Sequence, residues 1–137
     1  MILFNSEEID FSLPNEQSII KWVESTIDAE GKILGEISYI FCDDKYLHNI
    51  NLEYLQHDTY TDIITFDYTE MNIISSDIFI SIDRIKENAK TFSNSFDNEL
   101  HRVIIHGVLH LLGYKDKSVA DAKMMRAKED FYLTLLS

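Results

Sequence analysis

Apolar residues recur along this chain with two different periods, and the change from one to the other marks out its elements. Ile19, Ile20, Val23 and Ile27 share one face of a helix over residues 15–29, which Gly31 ends. Around Gly35, Ile37, Tyr39 and Phe41 the alternation is twofold, so 33–41 reads as a strand, and 2–4 as a short strand before it. Asp43 or Asp44 caps a helix running to about Leu55, and the polar stretch 56–62 is a loop. Residues 63–68 and 77–82 are β-branched and aromatic runs, expected to be neighbouring strands. From Asp83 onward the spacing is helical, over 84–92, 97–112 and 119–136. Strands confined to the first two thirds and helices at the end predict an α+β fold, a mixed four-stranded sheet covered by helices.

Composition adds limits to this picture. A chain of 137 residues, 45% apolar and with no internal repeat, is expected to form a single domain over 1–137. Cys42 is alone and lies in an apolar run, which fits a buried thiol in a reducing compartment. The first ten residues carry acids and no basic start, and nowhere do eighteen apolar residues run on, so the expectation is a cytoplasmic protein without a membrane partner. The formal net charge of −12 opposes polyanion binding, yet nine of the twelve basic residues lie between Arg84 and Lys128, where only five acids stand. Positive charge is thus concentrated in one segment. The alternative is that Lys123, Arg126 and Lys128 only solvate the outer face of the last helix.

The helix over 97–112 is apolar nearly all round, which marks it as central, and two histidines interrupt it. His106 and His110 are four residues apart, about 40° around the helix, so their rings project from one face and can converge on one ion. Gly113 falls where the helix should stop, and the chain can then turn back to bring Asp116 to the same ion. Three ligands leave a fourth position open, the mark of a catalytic zinc, one per chain. The alternative for Asp116 is capping of the last helix. His106, His110, Gly113 and Asp116 reproduce the metzincin spacing, a zincin-like arrangement, but Gly107 stands where those peptidases carry the glutamate that activates water. His101 is expected to play a structural part, and Met124 and Met125 to pack in the core.

The run from His106 to Tyr114, His-Gly-Val-Leu-His-Leu-Leu-Gly-Tyr, resembles the signature of the YbeY family of ribosomal-RNA maturation factors. Asn51, Tyr54, Asp58, Thr61 and Asp62 with Ile63-Ile64-Thr65-Phe66 are similar to a second block of that family, and Ser76-Asp77-Ile78 to its Gly-Asp-Ile strand. Two departures stand out. Lys115-Asp116 replaces the usual Asp-His, putting a carboxylate in the third ligand position, and Leu55 replaces an arginine of the family's substrate cleft.

The resemblance implies a metal-dependent, single-strand-specific endoribonuclease acting in ribosome maturation, including the 3′ end of small-subunit rRNA. It implies rRNA, the small ribosomal subunit and its assembly factors as partners, with no DNA. For the proton acceptor the candidates are the hydroxide itself, His57 or Asp62, and for phosphate contact His57, Lys115 or Lys117 in place of the missing arginine. A non-catalytic zinc-bearing assembly factor and a zinc peptidase are the rival readings.

Overall fold

A computed structural model describes residues 1–136. In chain order the elements are β1 (Ile2–Ser6), α1 (Glu16–Ala29), β2 (Ile33–Cys42), α2 (Asp44–Leu55), β3 (Ile63–Asp67), β4 (Ile73–Ser81), α3 (Ile82–Thr91), α4 (Phe96–Leu111) and α5 (Val119–Leu133). The four strands form one mixed sheet in the order β1-β2-β4-β3. β1 and β4 run parallel to β2, while β3 runs antiparallel to β4, so that β1 and β3 form the two edges.

The α+β expectation holds, with local differences. β4 begins at Ile73 rather than Asp77, because two serines hide its start from a hydropathy pattern. Ser76 is buried there with its hydroxyl donating to the carbonyl of Phe66 at 2.7 Å. Ile82 opens α3 instead of closing the strand, since the Ser81 hydroxyl accepts the Arg84 N–H at 3.1 Å as a helix cap. The last helix ends at Leu133, earlier than its apolar tail suggested.

Side chains alternate across the sheet with the period of two that extended backbone imposes. Tyr39, Phe41, Ile78 and Ile80 face the main core, shared with Ile19, Val23 and Ile27 of α1 and with α4. Cys42 and Ile64 face the other way, into a smaller cluster closed by Leu47 and Ile50 of α2. α4 contributes Leu100, Val103, Ile104, Ile105, Val108, Leu109 and Leu111 to the main core, each worth roughly 1.5–3 kcal/mol of burial. It approaches the sheet closely at Gly107, where a Cβ would stand 2.9 Å from Ile63 Cδ1 and 3.4 Å from Ile78 Cδ1. The helix that carries both histidines therefore lies closest to β3 and β4 at Gly107, next to the first of them.

Candidate metal centre

α4 starts where the Ser95 hydroxyl accepts the Asn98 N–H at 3.0 Å and runs without a break to Leu111. With its other faces packed, the half-buried His106 and His110 point outward. Gly113 then takes a φ of +105°, a conformation that costs other residues a steric penalty. Its N–H donates to the His110 carbonyl and that of Tyr114 to Leu109, both at 3.0 Å, so the helix stops and the chain doubles back. Asp116 sits on the returning turn and does not cap α5. That cap is Ser118, whose hydroxyl accepts the Asp121 N–H at 3.0 Å.

The doubling back brings the three side chains together, their donor atoms all within 4.8 Å of one another. His106 Nε2 and His110 Nε2 are 3.0 Å apart, and Asp116 Oδ2 lies 3.4 Å from the first and 3.3 Å from the second. Two imidazole nitrogens at that separation cannot both carry protons. The tautomer of His106 is set from behind: its Nδ1 donates to Glu129 Oε2 at 2.7 Å, which leaves the Nε2 lone pair facing His110 and Asp116. Burial alone would depress the His106 pKa, but the hydrogen bond and charge of Glu129, with the charges of Asp116 and Asp62, hold it above the ordinary value. The pocket thus favours positive charge. Two imidazole nitrogens and a carboxylate oxygen converging in such a field suit a divalent metal ion.

Glu129 escaped the sequence reading. It is buried on α5, and its other oxygen accepts from Arg102 Nη1 at 2.9 Å and Arg126 Nη1 at 3.4 Å, while Arg102 also reaches Asp130 at 2.8 Å. These contacts outweigh burial and keep the Glu129 carboxyl below its usual range. A signal was present: Met125, Glu129 and Tyr132, spaced by four and three residues, form the buried face of α5, so one acid interrupts an inward stripe. Arg102, Arg126 and Lys128 are all engaged with acids, so only part of the basic segment is available to an outside anion.

Two grooves flank the histidine pair. One, of about 460 Å³, passes His106, Asp116 and Glu129 and is bordered by Asp62, Asn88 and Arg102. Asp62 takes a 3.4 Å hydrogen bond from Asn88 Nδ2, and burial, partly offset by His106, raises its pKa. The other, of about 610 Å³, passes His110 along β3 and is lined by Asn51, Leu55, His57, Thr61 and Lys117. His57 and Asp62 therefore lie in different grooves. Lys115 is exposed on the turn and lines neither. His101 packs against the Trp22 ring, 6.2 Å between centroids, away from the metal cluster. Met125 is buried, as expected, but Met124 is half-exposed because it falls on the outer side of α5. Gly107 faces Ile63 and Ile78, so the position of the peptidase glutamate is directed into the seam between helix and sheet.

The family described as Endoribonuclease YbeY matches residues 2–137. Among curated relatives, the chain is 61% identical over 130 residues to endoribonuclease YbeY of Flavobacterium johnsoniae, covering 95% of this chain and 93% of the relative. It is 58% identical over 135 residues to that of Flavobacterium psychrophilum, covering 98% and 96%. With that of Phocaeicola vulgatus it shares 45% over 137 residues, covering 100% and 99%. The solution structure of TM1509 from Thermotoga maritima superposes with a TM-score of 0.65 at 26% identity, covering 96% of this chain and 86% of that one.

Proposed function

The chain belongs to the endoribonuclease YbeY family, and from that premise we propose that it cuts single-stranded RNA in ribosome maturation, using zinc held by His106, His110 and Asp116. The observation that carries the metal reading is the meeting of two imidazole Nε2 atoms, 3.0 Å apart, with one carboxylate oxygen 3.3 and 3.4 Å away. Zinc bound there supplies a Lewis acid for a phosphoryl oxygen and lowers the pKa of its water to about 7.

The residues around it take distinct parts. Glu129 holds the His106 ring with its Nε2 lone pair forward. Asp62 is the better proton acceptor of the two candidates: it shares the groove of His106 and Asp116, and its raised pKa brings it nearer the working range of a general base. His57 lies across the site, beside Lys117 and Leu55. Lys117 is the cation that takes over phosphate contact from the arginine that Leu55 replaces, because it lines the same groove as Leu55. Lys115 is not assigned a part. The strand of RNA would run from one groove to the other past His106 and His110, and the small ribosomal subunit in the cytoplasm would be its source.

Metal content by plasma mass spectrometry and cleavage of a single-stranded RNA, each on the native protein and on Asp116→Ala, test this reading together. One zinc per chain, with both zinc and cutting lost in the variant, is the expected result. Zinc bound by a native protein that cuts no RNA would instead favour an assembly factor in which the metal steadies the end of α4.

A further inference from the structure

The turn that carries Asp116 has little to hold it. Every residue from Lys115 to Met124 is exposed, and among the described residues the backbone N–H groups of Lys115, Asp116 and Lys117 donate to no protein acceptor. Tyr114 is the exception at its start. Half-buried, it donates its hydroxyl to Glu30 Oε1 at 2.6 Å, across 84 positions of sequence. Glu30 closes α1, next to Gly31, and its second oxygen accepts from the Tyr132 hydroxyl and from Lys128 Nζ at 3.3 Å. The Lys128 ammonium in turn lies 5.4 Å from the centre of the Tyr114 ring and 6.0 Å from that of Tyr132.

We propose that Glu30, through Tyr114, is a positioning residue for the metal centre: it fixes the start of the Asp116 turn so that the third ligand is already in place when the ion arrives. The inference rests on the reading of His106, His110 and Asp116 as a metal site. Asp116 lies two residues beyond Tyr114, so the anchored phenol limits how far its carboxylate can swing from the two histidines. A flexible third ligand would have to be ordered at binding, and the entropy of that ordering would appear as weaker metal affinity. No other side chain within the turn is packed well enough to do this.

The experiment is titration of the metal-free native chain with Co²⁺, followed by its visible absorption, for native, Tyr114→Phe, Glu30→Gln and Tyr132→Phe proteins. Tyr114→Phe removes one hydroxyl and no packing; it is expected to weaken Co²⁺ binding about 10-fold and to change the ligand-field bands, because Asp116 is lost or replaced by water. Glu30→Gln acts in the same direction, and the double variant is no weaker in cobalt binding than Tyr114→Phe, since both cut one tether. Tyr132→Phe removes a hydroxyl from the same carboxylate without freeing the turn, so it lowers thermal stability but leaves cobalt affinity within twofold. Equal affinity and spectrum in the native and Tyr114→Phe proteins would overturn the inference, as would an equal loss in Tyr132→Phe. A native chain that takes up no cobalt would overturn the metal reading and this inference with it.

Discussion

Replacing Glu129 by glutamine keeps the shape of a buried side chain and removes its charge, and its contacts determine the effect. In the native protein one carboxylate oxygen accepts from His106 Nδ1 and the other from Arg102 and Arg126. An amide has a single acceptor oxygen. Facing the two guanidinium groups, which is its favoured orientation, it turns its NH₂ toward His106 Nδ1, and that nitrogen must then become an acceptor. The ring proton moves to Nε2, the atom that points at His110 and Asp116. Metal binding then has to displace that proton and leave a donor facing a donor behind the ring. Partners of this kind are worth about 10- to 100-fold in affinity, which is roughly 1.4–2.7 kcal/mol. Folding suffers separately: the Arg102 guanidinium keeps its charge but loses its anionic partner, and the bond to His106 becomes a neutral one, a loss of about 1–3 kcal/mol. Competition against a calibrated zinc chelator reads the first quantity and urea unfolding of the metal-free protein the second. A Glu129→Gln protein whose urea midpoint falls while its zinc affinity stays within twofold of native would refute the tautomer argument and leave Glu129 as a structural residue only.

The same geometry has other consequences. Gly107→Ala gains up to about 1 kcal/mol of helix propensity while its Cβ presses on Ile63 Cδ1, the free end of a half-buried side chain on the edge strand that can turn aside, so urea unfolding should stay within about 1 kcal/mol of native; a loss of several kcal/mol would mean that Ile63 cannot move. Gly107→Glu forces a carboxylate into the seam between helix and sheet and should abolish the folding transition or shift it by several kcal/mol without creating peptide hydrolysis, which a casein assay would detect. The Glu30 carboxyl is pushed up by burial, but the hydroxyls of Tyr114 and Tyr132 and the Lys128 ammonium outweigh this and hold it below the ordinary glutamate value. Its contribution to stability is therefore full above that value and is lost as the pH falls through the folded pKa, so the stability gap between native and Glu30→Gln should be constant near neutrality and shrink in acid; a gap unchanged across the acid range would contradict this. Burial, with the charges of Asp43, Asp44 and Asp83, pushes the Cys42 thiol up to about 12, so iodoacetamide at pH 8 should label it only as fast as the protein unfolds, and rapid labelling of the folded chain would show the thiol to be accessible.

What the sequence revealed and what it hid divide along one physical line. Local spacing is visible in a string: His106 and His110 on one helical face, Gly113 at the stop and Asp116 on the return are all within eleven positions, and they meet as their spacing required. The elements were legible for the same reason, since their apolar periods repeat within a few residues. β4 lost its first residues because Ser75 and Ser76 interrupt the apolar pattern. The supporting groups were hidden because their partners are remote in sequence. Glu129 acts on a ring 23 positions away, and Glu30 on hydroxyls 84 and 102 positions away. Only the packing of α1, α4 and α5 makes neighbours of them. The same remoteness conceals the pairing of Leu55 with Lys117, which line one groove from two segments of the chain.

If His106, His110 and Asp116 hold the metal that cuts RNA, the rate of cutting must follow metal occupancy. The metal-free chain should cut a single-stranded RNA no faster than the Asp116→Ala variant, and its rate should rise with added zinc and level off at one equivalent per chain. Cutting that persists undiminished after the metal is removed, or that survives in His106→Ala and His110→Ala proteins, would contradict the account.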